Sequence, residues 1–579
     1  MQKLSGAQIL IESLVREGAE AVFGYPGGVT LPVYDILYSH PLRHVLVRHE
    51  QNAAFAAQGY ARATGKAGVC MATSGPGATN LTTGLVDALL DSIPVVAITG
   101  QVPQALIGRD AFQEADTFGI SRSATKHNYL VKDVREVAQT VHEAFHIAVS
   151  GRPGPVLIDI TKDVLLGKTS YSEDQPMAPL RGYRPEAEPD EEEIEQAVRF
   201  LWNAERPYIY AGGGVISSGA SRELVRLSEI LEAPLAHTVM GLGAMPSEHP
   251  NFISMLGMHG SYAANMGITE CDALIGLGVR FDDRVTGRLD KFAPHAQVLH
   301  VDIDPAEINK NRRADLGIVG DARTVLQRLN EALESTRESL GGVRRRERLA
   351  WMAHIREMKR QHPFTFTPSD EEIKPQVLMR KLDRIAGGDA IVTVDVGQHQ
   401  MWAAQLMRFN KPRLWQSSSG LGSMGFGVPA AVGAKFARPE KLVMAIVGDG
   451  GFMMSIPELG TIAANRLPVK IIVMNNNSLG MVRQWQELFY DRRYSEVFIE
   501  AFPDAHLLAA AFGLSGGTVA DPADLDRALD TAFSDPGPYL LNVQVTPEEC
   551  VYPMVPAGGA VSDMIMEPAA EPVGAAAGD

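Results

Sequence analysis

The sequence predicts an α/β protein of three doubly wound parallel-sheet domains, and three observations lead there. Short runs rich in β-branched residues, such as Val95-Val96-Ala97-Ile98 and Val469-Lys470-Ile471-Ile472-Val473, alternate with longer stretches of helical periodicity. That alternation belongs to parallel strands covered by helices. Proline and charge rise while apolar periodicity lapses at about Lys168 to Glu193 and about Glu334 to Pro375, which cuts the chain into three parts of similar size. The first and third parts share a layout. Val69-Cys70-Met71-Ala72 leads through Ser74-Gly75-Pro76-Gly77 and a helix to Ile93-Pro94-Val95, as Val443-Met444-Ala445-Ile446-Val447 leads through Gly448-Asp449-Gly450-Gly451 and a helix to Leu467-Pro468-Val469. Either the outer domains are related or two ordinary βαβ units share a plan. The expected domains are residues 1–167, 190–335 and 375–556, with a linker at 336–374 and a disordered, alanine-rich tail at 567–579. The Arg344-Arg345-Arg346 run alternates with Glu347 and Leu349, as in a solvated amphipathic linker helix rather than a nucleic-acid patch.

Composition sets the class. With 45% hydrophobic and 21% charged residues in 579, the chain has the balance of a globular protein. Fifty-three basic against 69 acidic residues leave a formal charge of −16, which opposes binding to nucleic acid or an anionic membrane surface. Cys70, Cys271 and Cys550 are scattered and form no zinc pattern. The start MQKLSGAQILIESLV reads as neither signal nor transit peptide, and no apolar run reaches bilayer length, so the expected compartment is the cytoplasm.

The sharpest chemistry lies between Gly448-Asp449-Gly450 and Asn475-Asn476-Asn477, each closing an apolar strand. In open parallel sheets ligands bind outside the carboxyl ends of strands, so Asp449 and Asn476 should face one another. One carboxylate with amide and backbone oxygens is a hard-oxygen set suited to Mg²⁺, and the glycines let backbone N–H groups approach a phosphate. A diphosphate held through magnesium follows. Read alone, a GDG is equally a common turn. Glu50, in Arg48-His49-Glu50-Gln51-Asn52, follows the strand His44-Val45-Leu46-Val47 and opens an alanine-rich helix, which puts it at a strand's carboxyl end and partly buried rather than on an open surface.

GDG followed at this interval by NN resembles the thiamine diphosphate (ThDP) motif. The duplicated outer domains resemble the pyrimidine- and diphosphate-binding domains of that enzyme superfamily. The resemblance implies Asp449, Asn476 and Ser478 as magnesium ligands, the last through its backbone carbonyl. It implies Glu50 against N1′ of the aminopyrimidine, and Met424 in Gly422-Ser423-Met424-Gly425 as the wedge that bends the coenzyme, with Gly422 bonding the pyrimidine. Pro76, Asn80, Gly397, Gln398, His399, Gly450 and Gly451 complete the ThDP set.

Five segments narrow the likeness to the acetolactate synthase (acetohydroxyacid synthase) catalytic subunits: Tyr25-Pro26-Gly27-Gly28, Ala111-Phe112-Gln113-Glu114-Ala115-Asp116, Gly257-Met258-His259-Gly260, Arg280-Phe281-Asp282-Asp283-Arg284-Val285-Thr286-Gly287 and Gly480-Met481-Val482-Arg483-Gln484-Trp485-Gln486. The resemblance runs from about Leu4 to Pro556. It implies that pyruvate is decarboxylated on ThDP and that the hydroxyethyl enamine condenses with a second pyruvate, giving 2-acetolactate and CO₂, or with 2-ketobutyrate, giving 2-aceto-2-hydroxybutyrate. That is the first common step of branched-chain amino-acid synthesis. Arg284 is then expected to grip the second ketoacid's carboxylate, unless it merely pairs with Asp282 or Asp283, and Trp485 to wall the pocket. Gly28 and Gln113 would polarise the reacting carbonyl, while Lys162, Phe112, Pro103 and Met258 would line the access channel.

In the middle part Gly212-Gly213-Gly214 follows Tyr208-Ile209-Tyr210, and His300-Val301-Asp302-Ile303-Asp304 ends another strand with acidic groups suited to ribose hydroxyls. With Arg152, Thr238, Gly257, Met258, His259, Gly278, Arg280, Asp282, Arg284, Asp321 and Ala322, these match the family's FAD positions, implying a structural flavin. Further implications are a homodimer or homotetramer with the active site at the subunit interface, and a small regulatory subunit. The rivals are another FAD-bearing ThDP enzyme, such as pyruvate oxidase or glyoxylate carboligase, and an inactive ThDP-fold scaffold; glyoxylate carboligase lacks the glutamate that Glu50 supplies here.

Overall fold

The computed structural model describes residues 2–172, 178–185 and 188–566. Among these described residues, twenty strands form three six-stranded parallel sheets and one two-stranded antiparallel ribbon. The ribbon pairs β1 (Gln2–Ser5) with β8 (Lys168–Tyr171). The first sheet contains β2 (Ala21–Gly24), β3 (Arg43–Leu46), β4 (Gly68–Ala72), β5 (Val95–Gln101), β6 (His127–Val131) and β7 (Pro155–Thr161), in the order β3-β2-β4-β5-β7-β6. The second contains β9 (Pro207–Ala211), β10 (Leu235–His237), β11 (Phe252–Met255), β12 (Ala273–Leu277), β13 (Gln297–Asp302) and β14 (Leu316–Val319), in the order β11-β10-β9-β12-β13-β14. The third contains β15 (Ile391–Val394), β16 (Trp415–Ser417), β17 (Val443–Gly448), β18 (Val469–Asn475), β19 (Ser515–Val519) and β20 (Tyr539–Gln544), in the order β16-β15-β17-β18-β20-β19.

The first and third sheets therefore repeat one strand order, which supports the reading of related outer domains. The middle sheet has the order of dinucleotide-binding folds. Every residue of β4, β5, β7, β9, β12, β17 and β18 is buried, as expected of strands covered on both faces.

By internal contacts the chain divides into two compact units. One comprises residues up to 187, 368–403 and 407–549, and so holds the first and third sheets; the other comprises 188–367, 404–406 and the chain from 550 onward. Within the first unit the helix Glu50–Thr64 packs backbone to backbone on the helix Gly427–Ala437. A Cβ on Gly433 would lie 1.8 Å from the Ala56 carbonyl oxygen, and one on Gly59 would lie 2.1 Å from that of Ala430. The first of these helices opens at Glu50, capped by the His49 ring accepting from the Gln51 N–H, and closes on Gly65 at φ 79°.

Three boundaries differ from expectation. Lys168 does not begin a linker: residues 168–171 form β8, whose partner near the amino terminus no local pattern specifies. The stretch 336–374 carries the expected linker helix, Arg345–Gln361, but one face of it is buried rather than solvated. Arg348, Trp351, Met352, Ile355 and Met358 are buried, most of them within the middle unit's apolar core. The residues from Cys550 leave the third sheet's unit for the middle one, where the Val555 N–H donates to the Met258 carbonyl at 2.9 Å and the Arg288 N–H to that of Gly559 at 3.0 Å. The tail at 567–579 lies outside the described residues. All three cysteines are buried free thiols. No helix among the described residues is long and apolar enough to cross a membrane.

Candidate active site

The carboxyl ends of the adjacent strands β17 and β18 place Asp449 and Asn476 together. Asp449 is the first residue of the helix Asp449–Met453, and Asn476 follows directly on β18. One backbone N–H joins them: that of Ser478 donates to Asp449 Oδ2 at 3.1 Å and to Asn476 Oδ1 at 3.2 Å. The turn is held open by Asn477 at φ 52° and by Gly480, where a Cβ would fall 2.2 Å from Gln398 Oε1. Gln398 in turn accepts from Asn476 Nδ2 at 3.2 Å and donates to Gln484 Oε1 and the Glu549 carbonyl, each at 2.9 Å. The segment after Phe489 returns here, with Leu479 N–H donating to the Val497 carbonyl at 2.7 Å and Ile499 N–H to that of Asn477 at 2.8 Å.

These residues fit a magnesium-held diphosphate. Burial pushes the Asp449 carboxyl up to about 6, against the pull of the Gly450 and Ser478 N–H donors. A buried carboxylate beside an amide oxygen is a donor set that a hard cation completes. Among the described residues, Ser478 Oγ is buried without a hydrogen-bond partner, as is His399 Nε2. The His399 ring is neutral, its pKa lowered to about 3 by desolvation, and it faces Gly397 and Gly448, where a Cβ would lie 3.0 and 2.9 Å from Cε1. Gly450 leaves space of the same kind beside Met424, whose methyl would be 3.3 Å from an added Cβ. Gly422 and Gly425 flank Met424 at φ 73° and 86°. Among the described residues no three His, Cys, Asp or Glu side chains converge on a common metal position, so the set remains an oxygen set with one carboxylate.

Glu50 sits at the carboxyl end of the first sheet, half-buried, and accepts from Asn80 Nδ2 at 3.0 Å. A Cβ on Gly77 would lie 3.4 Å from its Oε1, and Pro76 starts the short helix that carries Gly77 and Asn80. Gly75, at φ 58°, lets the backbone of Gln113 approach: a Cβ there would be 2.7 Å from the Gln113 carbonyl oxygen. Gln113, at φ 58° itself, stands in a loop tied by the Glu114 carboxylate to the N–H groups of Gly108 and Ala111. Phe112 and Gly28 are exposed, while Pro103 and Lys162 are half-buried. Trp485, in the helix Gly480–Phe489, meets Phe489 edge to face at 5.7 Å between ring centres. Arg152 Nε donates to Ser92 Oγ at 2.9 Å.

In the middle unit the glycine turn falls at the switch point of the sheet, between β9 and β12. A Cβ on Gly212 would be 2.2 Å from the Gly278 carbonyl oxygen, and one on Gly214 would be 2.6 Å from Gly278 Cα. Gly213 faces Met240, and Thr238 caps the next turn by accepting from Gly241 N–H at 3.0 Å. Asp302 ends β13, buried and bonded to the Asp304 N–H, with half-buried Ile303 between them. Asp321 caps the helix Ala322–Ser335. Gly257, at φ 118°, is braced on both sides by Asn265, and the neighbouring Met258 N–H donates to the Arg284 carbonyl at 2.8 Å. His259 is buried with its pKa lowered to about 4 by desolvation, Nδ1 lying 3.0 Å from the Pro553 carbonyl. Arg280 is half-buried, and its charge opposes the burial that raises the Asp282 carboxyl. Exposed Arg284 lies 3.8 Å from the exposed Asp283 carboxylate, a loose surface ion pair. A glycine cradle at the switch point, with an acidic strand end two strands away, fits a dinucleotide such as FAD.

Sequence reasoning missed several buried groups that shape these sites. Asp395, which directly follows β15, accepts from the N–H groups of Val396, Gly425 and Gly427. It could have been found by the strand-end rule that found Asp449. Glu458 accepts from the Arg48 N–H at 2.8 Å, Asn52 Nδ2 at 3.0 Å and Thr461 Oγ1 at 2.7 Å, fixing the turn before Glu50, and nothing local marks it.

Fold and sheet-end constellation together define an enzyme of the thiamine diphosphate class. Family models agree: "Thiamine pyrophosphate enzyme, N-terminal TPP binding domain" matches residues 4–120, the central domain of the same enzymes matches 194–329, and their C-terminal TPP binding domain matches 395–543. The acetolactate synthase isozyme 2 large subunit of Escherichia coli (strain K12) is 48% identical over 97% of this chain and 99% of its own length. The chloroplastic acetolactate synthase of Arabidopsis thaliana is 47% identical over 98% of this chain and 85% of its own, and an acetolactate synthase of Mycobacterium bovis is 49% identical over 96% and 91%. The chain belongs to the acetolactate synthase family.

Proposed function

We propose that the chain is the catalytic subunit of an anabolic acetolactate synthase, which joins two molecules of pyruvate, or pyruvate and 2-ketobutyrate, with loss of CO₂. The observation that carries the reading is the shared Ser478 N–H, which converges the Asp449 and Asn476 oxygens at the ends of adjacent parallel strands. The family likeness narrows the class to this reaction.

Asp449, Asn476 and the Ser478 carbonyl would hold Mg²⁺, and Gly397, Gln398, His399, Gly450 and Gly451 the diphosphate. Gly422, Met424, Glu50, Pro76 and Asn80 would hold the rest of ThDP. When bound, ThDP supplies a carbon nucleophile and an electron sink for decarboxylation. The Asn80 amide orients the Glu50 carboxylate, which would exchange a proton with the aminopyrimidine nitrogen of bound ThDP. Gly28 and Gln113 orient the reacting carbonyl through polar groups, and Arg284 pairs its guanidinium fork with the second ketoacid's carboxylate. Trp485 supplies the apolar wall that rewards the extra methyl of 2-ketobutyrate, a preference worth about 1–3 kcal/mol. Phe112, Pro103, Met258 and Lys162 flank the route by which substrate enters. FAD would lie on the Gly212–Gly214 turn, with Thr238, Gly257, Met258, His259, Gly278, Arg280, Asp282, Asp302, Ile303, Asp321, Ala322 and Arg152 around it, in a structural role. The working form is a homodimer or homotetramer sharing active sites between subunits, in the cytoplasm, with a small regulatory subunit as partner.

Product analysis tests this reading. Protein mixed with pyruvate, ThDP, Mg²⁺ and FAD should give acetolactate, with acetohydroxybutyrate added when 2-ketobutyrate is present, and product should vanish when any one cofactor is withheld. Acetyl phosphate or acetate with peroxide would move the chain to the oxidases.

A further inference from the structure

The loop after β16, Ser418 to Met424, carries the two residues read above as holding the pyrimidine, Gly422 and Met424, yet most of its fixed contacts come from the other outer domain. The helix Thr82–Leu90 and the residue just beyond it present two fully buried carboxylates to this loop. Asp87 Oδ1 accepts from the hydroxyls of Ser418 and Ser423, the latter at 3.0 Å. Asp91 accepts from two successive backbone N–H groups, Ser419 at 3.0 Å and Gly420 at 2.7 Å. Ser418 Oγ closes the ring by accepting from the Ser423 N–H at 2.7 Å, and Gln400 Nε2 donates to the Ser417 hydroxyl at 2.7 Å and the Ser418 carbonyl at 3.2 Å. Arg62, also buried, donates to Asp91 Oδ2 at 2.7 Å and lies 5.3 Å over the Phe426 ring, on the far side of the same loop. Gly420 has no room for a side chain, since a Cβ would meet Asp91 Oδ1 and Leu90 Cβ at 2.9 Å.

Burying two carboxylates side by side is costly; desolvation and the neighbouring Asp91 charge raise the Asp87 carboxyl, and among the described residues one oxygen of Asp87 has no hydrogen-bond partner. An apolar pair would fill the space at lower cost. What the acids add is direction, because together they fix two hydroxyls and two N–H groups of one short loop.

We propose that Asp87 and Asp91 are positioning residues that hold the Ser418–Met424 loop in the shape that receives the coenzyme's pyrimidine ring. This rests on the reading of Gly422 and Met424 as coenzyme contacts. With the pair intact the loop is set before the coenzyme arrives; without it, binding must order the loop first, so affinity falls more than turnover at saturation.

Titration calorimetry of ThDP, with Mg²⁺ present, into wild type, Asp87→Asn and Ser423→Ala separates the possibilities. Loss of a charge-assisted contact predicts roughly ten-fold weaker ThDP binding for Asp87→Asn. Steady-state rates should show the matching rise in KM for ThDP, with kcat at saturating ThDP changed much less. Ser423→Ala, which removes the loop's half of one bond, covers the case in which Asp87→Asn fails to fold, and should weaken binding in the same direction. Unchanged affinity with a lowered melting temperature in both folded variants would make the acids merely structural and overturn the proposal. Wild type that binds no ThDP would instead sink the functional reading beneath it.

Discussion

At the scale of single residues, sequence places Asp449 and Asn476 directly after apolar strands and Glu50 a short turn beyond one, and the structure puts them there, at the strand ends where open α/β sheets bind ligands. Asp87, Asp91 and Glu458 were not legible. Each works through partners hundreds of positions away, such as Ser418 for Asp87 and Arg48 for Glu458, and an isolated acidic residue in sequence reads as a solvated one. Arg284 shows the converse: its motif singled it out, and in the structure it is exposed and lies 3.8 Å from the exposed Asp283. Because Glu50 is held by one side-chain amide, Glu50→Gln should preserve the fold and ThDP binding yet lower kcat by roughly 10²- to 10⁴-fold. Steady-state rates beside a melting curve check this, and an unchanged kcat would remove Glu50 from the chemistry.

Among elements, the packed pair Glu50–Thr64 and Gly427–Ala437 is the most exacting. Glycine within a helix is a weak point, and the close crossing explains Gly59 and Gly433 here. Gly433→Ala should cost about 1–3 kcal/mol, since its Cβ would strike the Ala56 backbone, which cannot swing aside. Exposed Gly342, where a Cβ meets nothing within 4 Å, is the control: Gly342→Ala should stay within about 0.5 kcal/mol. Denaturant melts of both variants read the difference directly. The strands were legible in kind, because fully buried β-branched runs have few other uses. The missed element, β8, lay in a stretch whose charge and proline disguised it, whereas the helix Arg345–Gln361 was legible but read as solvated, although the stripe at Trp351, Met352, Ile355 and Met358 that it buries has helical spacing.

On the scale of the whole molecule, the outer sheets share one strand order and one compact unit, and the middle sheet belongs to another. The repeated strand, turn, helix and strand layout made the first fact readable. That first and third sheets pack together was not readable, because it depends on contacts such as Gly59 with Ala430 that leave no periodic signal. Stability as a function of pH offers a global test. Asp159, buried between Thr99 and Gln101, has its carboxyl pushed up to about 7, chiefly by desolvation. A folded-state pKa above the unfolded one favours the fold at low pH, and that contribution is lost as pH rises through about 7. Wild type should therefore lose its advantage over Asp159→Asn between about pH 5 and pH 8, by on the order of a few kcal/mol. Chemical denaturation at both values checks it; a constant difference would mean that Asp159 is ionised throughout.

The central claim is that the ends of β17 and β18 hold a diphosphate coenzyme through a cation. Calorimetric titration of ThDP into wild type and Asp449→Asn, each with and without Mg²⁺, tests it most directly. Tight binding to wild type only when Mg²⁺ is present, weakened at least about ten-fold in the variant, is the expected result. Equal ThDP affinity with and without the cation, or in both proteins, would contradict the account.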